Sequence, residues 1–177
     1  MRTITFFAIA LSLLLFSCNS EPTLQKFFVE NSEKPNFITL DISPSILNID
    51  SKELTEEQRK ALQSFDKMNI IAFRSNQQNQ TDYEAERQKL ITILKDEQYQ
   101  QLMKIGSGKE GASISFVGQE DKIDEFIFYA NKKENGFAVV RVLGKDMNTN
   151  NIMTLLSVLQ KSKIDMEQLK PLQNFVK

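Results

Sequence analysis

The sequence predicts an α+β domain in two layers: a mostly antiparallel five-stranded sheet with helices on one face, ending in a three-strand meander followed by a helix. Three patterns carry that expectation. Early strand-length runs alternate with capped amphipathic segments. Three strand-like runs then follow one another across loops too short for a parallel crossover. A last amphipathic run closes the series.

Taken in order, Thr23 caps a short helix whose apolar residues Leu24, Phe27, Phe28 and Val29 cluster at helical spacing, with Glu21 and Pro22 favouring its start. Asn36 to Ser43 alternates, with Phe37, Thr39 and Asp41 on one face and Ile38, Leu40 and Ile42 on the other, as a half-buried strand does. Thr55-Glu56-Glu57-Gln58 is a capping box, Leu54 is placed as its staple, and Ala61, Leu62 and Phe65 form the stripe behind it. Ile70 to Phe73 is apolar on both faces, which fits a central strand covered on at least one side. The Asn- and Gln-rich stretch Ser75 to Thr81 reads as a solvated loop.

From Asp82 the period is helical again through Tyr83, Leu90, Ile91 and Leu94, and Tyr99, Leu102 and Met103 give a second helical stripe that Gly106-Ser107-Gly108 stops. Ala112 to Val117, Ile123 to Asn131 and Gly136 to Leu143 make the meander, with Ile114, Phe116, Phe126, Phe128, Val139 and Leu143 facing inward. Gly144 turns the chain. Asn148 or Thr149 caps a helix carrying Ile152, Leu155, Leu156 and Leu159, and Asp165 to Leu172 adds a final helical turn or two, ended near Pro171. No internal repeat is present, which excludes a solenoid.

The N-terminus is the most informative segment for function. Arg2 supplies a positive end, Ile4 to Phe16 an apolar run of roughly a dozen residues, and Ser17 a small residue before Cys18, the single cysteine of the chain. A spanning helix needs roughly 20 apolar residues, and the run is too short before the polar Asn19-Ser20-Glu21-Pro22. Leu15-Phe16-Ser17-Cys18 resembles a bacterial lipobox. That resemblance implies that the Cys18 thiol receives a diacylglyceryl group and becomes the mature N-terminus, with acyl chains such as palmitate holding the protein on a bilayer. Residues 1–17 are then a lipoprotein signal peptide, 18–22 a lipidated tether and 23–177 a single globular domain. Asn19 behind the cysteine is similar to sorting patterns for the outer membrane, and the lone Glu21 is a weak surface-display signal. The expected location is the outer membrane, facing the periplasm.

Composition narrows the chemistry. Losing Arg2 from 22 basic residues leaves 21 against 23 acidic, a net charge of −2 with no basic stripe for nucleic acid. About 160 residues remain after the leader, enough for one core. The chain has no histidine, so the commonest general base, metal ligand and pH switch are missing together. With Cys18 assigned to lipid, thiol nucleophiles, disulfides and thiolate metal sites are excluded as well. The expectation is a protein that is not an enzyme and uses no cofactor or metal.

The whole pattern is similar to a family of small Bacteroidota lipoproteins carrying an uncharacterised domain of this length. The matching features are the lipobox Cys18, the early helix of Leu24 to Val29, and the strands Ile123 to Asn131 and Gly136 to Gly144 running into the helix of Ile152 to Leu159. The family supplies no catalytic residues to carry over.

Several clusters invite a sharper reading. Asp41, Asp50, Glu53, Glu56 and Glu57 lack the alternating oxygens and turn glycine of a calcium loop, and Glu56 and Glu57 suit a helix N-terminus. Glu120, Asp121, Asp124 and Glu125 would act as an acid/base pair only in a cleft that raised one pKa, and on a hairpin they read as solvated charges. Gly106-Ser107-Gly108-Lys109 lacks the spacing of a phosphate loop and runs into a strand. Phe27, Phe28, Phe37, Phe73, Phe116, Phe126 and Phe128 fit a core better than a ligand pocket.

The sequence thus leads to a lipid-anchored envelope protein that is a non-enzymatic binding module. Its partners are the membrane surface, through Cys18, and an envelope protein or small ligand. The alternative is a carboxylate-dependent hydrolase, which requires converging Asp or Glu side chains in an accessible cleft.

Overall fold

The computed structural model of the chain describes residues 22–47, 51–107 and 110–161. Helix α1 (Leu24–Asn31) starts where the Thr23 hydroxyl accepts the Lys26 N–H at 3.2 Å, and it buries Leu24, Phe27 and Phe28. Strand β1 (Phe37–Ile42) leads through short 3-10 turns to α2 (Glu56–Ser64). The capping box of α2 is reciprocal: Thr55 accepts the Gln58 N–H at 3.2 Å, and the Gln58 side chain accepts the Thr55 N–H at 3.1 Å. Next come β2 (Phe65–Arg74), α3 (Gln80–Ile93), β3 (Gln100–Ser107), β4 (Glu110–Gln119), β5 (Lys122–Lys132), β6 (Gly136–Met147) and α4 (Thr149–Lys161). At the start of α4, Asn148 and Asn151 each accept the other's backbone N–H, at 3.0 and 2.7 Å. The segment Asp165 to Leu172 lies outside the described residues.

The class is α+β, and the C-terminal meander ends in a helix as expected. One antiparallel sheet runs in the order β1-β2-β6-β5-β4-β3. It has six strands rather than five, because Gln100–Ser107 is a strand and not a second helix. The register shifts between Gln101 and Met103, leaving Leu102 as an extra residue. That bulge puts Leu102 and Met103 side by side in sequence and disguises the two-residue period of a strand as a helical one. Gly144 does not turn the chain either. It lies inside β6, where a Cβ would stand 1.9 Å from the Ser64 carbonyl oxygen.

Helices cover both faces of the sheet, not one. Leu24, Phe27 and Phe28 of α1 and Tyr83, Leu90 and Ile93 of α3 pack with Ile71, Phe73, Ile127, Tyr129, Phe137 and Val139. Ala61 of α2 and Ile152 and Leu155 of α4 pack with Phe116, Phe126 and Val142 on the other side. The cause is the central strands, where Phe126-Ile127-Phe128-Tyr129 and Val139-Val140 are apolar on both faces and each face needs a cover. Val139 therefore faces away from Phe126 and Phe128, which pair with Val142 and Val140 instead. Leu143, opposite Glu125, also lies on the α1 and α3 side.

Candidate functional site

On the α1 and α3 side, the side chains of the sheet are smallest on β4, one strand in from its open edge. The cross-strand row Val139, Tyr129, Ser113, Lys104 and the row Arg141, Ile127, Ser115, Gln101 both pass from large residues to serine. Helices α1 and α3 together cover the large members, so a trough remains between the C-terminal half of α3 and the β3–β4 hairpin. This groove of about 220 Å³ is lined by Arg87, Ile91, Leu94 and Lys95 from α3 and its exit, by Gln101, Lys104, Ser113, Ser115, Tyr129 and Asn131 from the sheet, and at its β3–β4 rim by Ile105 and Ala112. Gly106 and Gly111 also line it, facing one another across β3 and β4.

The charge of the groove is one-sided. Arg87, Lys95 and Lys104 contribute to it, and no carboxylate does so among its described residues. Arg87 is partly engaged, 3.5 Å from Glu84. Lys95 and Lys104 are exposed and form no ion pair among the described residues. At the floor, burial pushes the Tyr129 phenol up to about 12, while Arg87 beside it pulls the other way. Burial also raises the Tyr83 phenol, with the nearby Asn131 side chain opposing that shift. Such a site can hold an anion or a hydrogen-bond acceptor.

A second, wider groove of about 470 Å³ lies between α1 and α3, lined by Pro22, Thr23, Lys26, Phe27, Glu30, Ala85, Gln88, Lys89, Thr92 and Ile93. Its one carboxylate, Glu30, sits 3.9 Å from Lys26.

The family model described as a domain of unknown function (DUF4252) matches residues 28–155. The chain belongs to that family. No curated protein and no solved structure matches it. The DUF4252 match runs from inside α1 to inside α4, so it takes in all six strands and the whole α3–β3 groove. Cys18 precedes the match and the described residues.

Within this DUF4252 domain the acidic residues singled out in the sequence do not converge. Asp41 accepts a hydrogen bond from Asn69 across β1 and β2. Glu53 is exposed in a 3-10 turn, and Asp50 lies outside the described residues. Glu56 pairs with Arg59 at 2.9 Å, and this hydrogen bond and charge hold its carboxyl below the ordinary value. Glu120 and Asp121 are exposed at the β4–β5 turn, and Asp124 is exposed beside it.

Glu125 departs from the solvated reading. It is buried and takes two hydrogen bonds from Arg141, which also donates to Gln25 of α1 at 2.5 Å and stands 5.4 Å from the Phe28 ring centre. The Tyr99 hydroxyl, just before β3, accepts the Leu24 N–H at 3.1 Å, so α1 is held at two points, by Tyr99 and by Arg141 of β6. An arginine inside the apolar run Phe137 to Leu143 was the signal for this network, since a buried cation needs a carboxylate.

Gly106 and Ser107 belong to β3, with Gly106 at φ 82, while Gly108 and Lys109 lie outside the described residues. Of the phenylalanines, Phe27, Phe28 and Phe73 with Phe37 fill one core, and Phe116 and Phe126 with Phe128 the other. Only Phe27 touches a groove described above.

The α2 and α4 side holds a further surface. Two full cross-strand rows there, Met103-Ile114-Phe128-Val140-Ile70-Leu40 and Ile105-Ala112-Ala130-Ala138-Ala72-Ile38, consist of apolar side chains alone. Most of their members are half-buried or exposed. At the β3 edge, Met103 is 46 % and Ile105 60 % exposed.

Proposed function

We propose that this DUF4252 protein is a lipid-anchored envelope protein, held by acyl chains on Cys18 at the outer membrane and facing the periplasm, whose domain binds a ligand or partner without catalysing a reaction. The observation that carries the binding role is the α3–β3 groove, where the cations of Arg87, Lys95 and Lys104 meet the hydroxyls of Ser113, Ser115 and Tyr129 with no carboxylate among its described lining residues. The anchor rests on Leu15-Phe16-Ser17-Cys18. Its consequence follows from the pinned α1: with Leu24 fixed to Tyr99, the six Cα-to-Cα steps from Cys18 to Leu24 span at most about 22 Å and keep the domain close to the bilayer surface. A carboxylate-dependent hydrolase finds no support in either groove, since neither brings two carboxylates together.

The test has two arms. In a bacterium that processes lipoproteins, labelled palmitate should enter the wild-type protein and not Cys18→Ser, and only the wild type should stay with membranes through a high-salt wash. In amide NMR, inorganic phosphate should shift resonances of the groove saturably. A Cys18→Ser protein that remains membrane-bound overturns the anchor, and a groove indifferent to phosphate overturns the binding site.

A further inference from the structure

We propose that β3 is a docking edge for an extended partner segment in which apolar and acidic residues alternate, added to the sheet as a seventh strand. The inference rests on the reading of the groove as a binding site and names what would bind beside it. β3 is the last strand of the sheet, and Gln100 to Gly106 are all exposed. Beyond the bulge at Leu102 the pairing with β4 is regular from Met103 to Ser107. An open edge of this kind presents a row of backbone donors and acceptors that an incoming strand can pair.

The two flanks of the edge differ, and the difference sets the partner's sequence. On the α3 side Lys104 projects over the groove with Lys95 and Arg87. Met103 and Ile105 begin the two apolar rows of the other face, and Ile105 also borders the groove at the strand edge. Successive side chains of an added strand point to opposite faces, so its neighbours to Met103 and Ile105 must be apolar and the residue between them acidic. A second copy suits the edge poorly. β3 carries Lys104 and no acidic residue, so two such edges bring like charges together.

The experiment titrates the full chain, purified in detergent, with labelled peptides read by fluorescence anisotropy. One peptide alternates Val and Glu, a second has the same composition in two blocks, and a third alternates Val and Lys. The alternating acidic peptide should bind saturably, about tenfold or more tighter than either control. Lys104 is exposed, so Lys104→Glu leaves the fold intact and should shift the preference to the lysine peptide. Equal binding of the alternating and block peptides, or an unchanged preference in Lys104→Glu, overturns the proposal. So does a dimer in sedimentation velocity that the peptide fails to disperse, which would assign the edge to a second copy. If phosphate still shifts the groove while no peptide saturates, strand addition fails and the groove reading stands.

Discussion

Arg141 holds Glu125 with two hydrogen bonds, from Nε at 2.6 Å and from Nη2 at 2.9 Å, between adjacent strands of a sheet covered on both faces. The pair is buried, and Gln25 and Phe28 of α1 close over it. Removing one partner of such a pair leaves an uncompensated charge, whereas removing both need not. Arg141→Met should therefore destabilise the protein by about 3–5 kcal/mol in urea unfolding, and the double variant Arg141→Met, Glu125→Leu should recover most of the loss. Because Arg141 also binds Gln25, the single variant should speed protease cleavage and hydrogen exchange within Leu24–Asn31. A double variant no more stable than the single one would show that the charge pair is not the source of the loss.

All three tyrosines are buried, and burial raises each phenol above its ordinary value of 10.0, with Tyr129 reaching about 12. The sign follows from proton counting. Above the unfolded value the unfolded chain gives up phenol protons that the folded chain keeps, so unfolding becomes easier. The contribution is intact below about pH 10 and is lost as pH rises toward about 12. For Tyr129 the whole effect is on the order of 2 kcal/mol. Urea midpoints at about pH 9 and about pH 11 should fall more for wild type than for Tyr129→Phe. Equal falls would mean that Tyr129 titrates as an ordinary phenol.

Local chemistry was legible in the sequence, and relations across the sheet were not. Thr23, the Thr55–Gln58 box and the short meander loops act within a few residues, so their patterns survive in one dimension. β3 was hidden because the Leu102 bulge breaks its alternation, and its pairing with β4 decides its conformation over local period. The two-sided cover was written in Phe126 to Tyr129, yet an apolar run alone does not say how many layers flank it. The groove had no sequence signature at all. Ser113 and Ser115 become a floor only once β4 lies between Tyr129 on β5 and Lys104 on β3.

Gly136 opens β6 opposite Arg74 with φ 120, and a Cβ there would stand 1.8 Å from the Phe73 carbonyl oxygen. Both the backbone angle and the contact exclude a side chain. The obstacle is main chain of a central strand, which cannot rotate away. Gly136→Ala should cost about 2–4 kcal/mol and lower Tm by roughly 5–15 °C in calorimetry. A Tm within about a degree of wild type would mean that the β2–β6 edge yields without strain.

Phe126 and Phe128 sit two residues apart on the same face of β5, under different cover. Phe126 is 0 % exposed in the core with Ile152 and Leu155 of α4. Phe128 belongs to the partly open row with Ile114 and Val140, and is half-buried. A cavity forms only where neighbours cannot collapse and water cannot enter, so truncation should be costly at the first site and mild at the second. Phe126→Ala is expected to lose about 3–5 kcal/mol in urea unfolding, and Phe128→Ala about half of that or less. Phe128→Ala should also reduce binding of a dye that reports exposed apolar surface, which Phe126→Ala, by loosening the core, should increase. Equal losses at the two positions would mean that in solution something covers the outer rows as α4 covers the inner one.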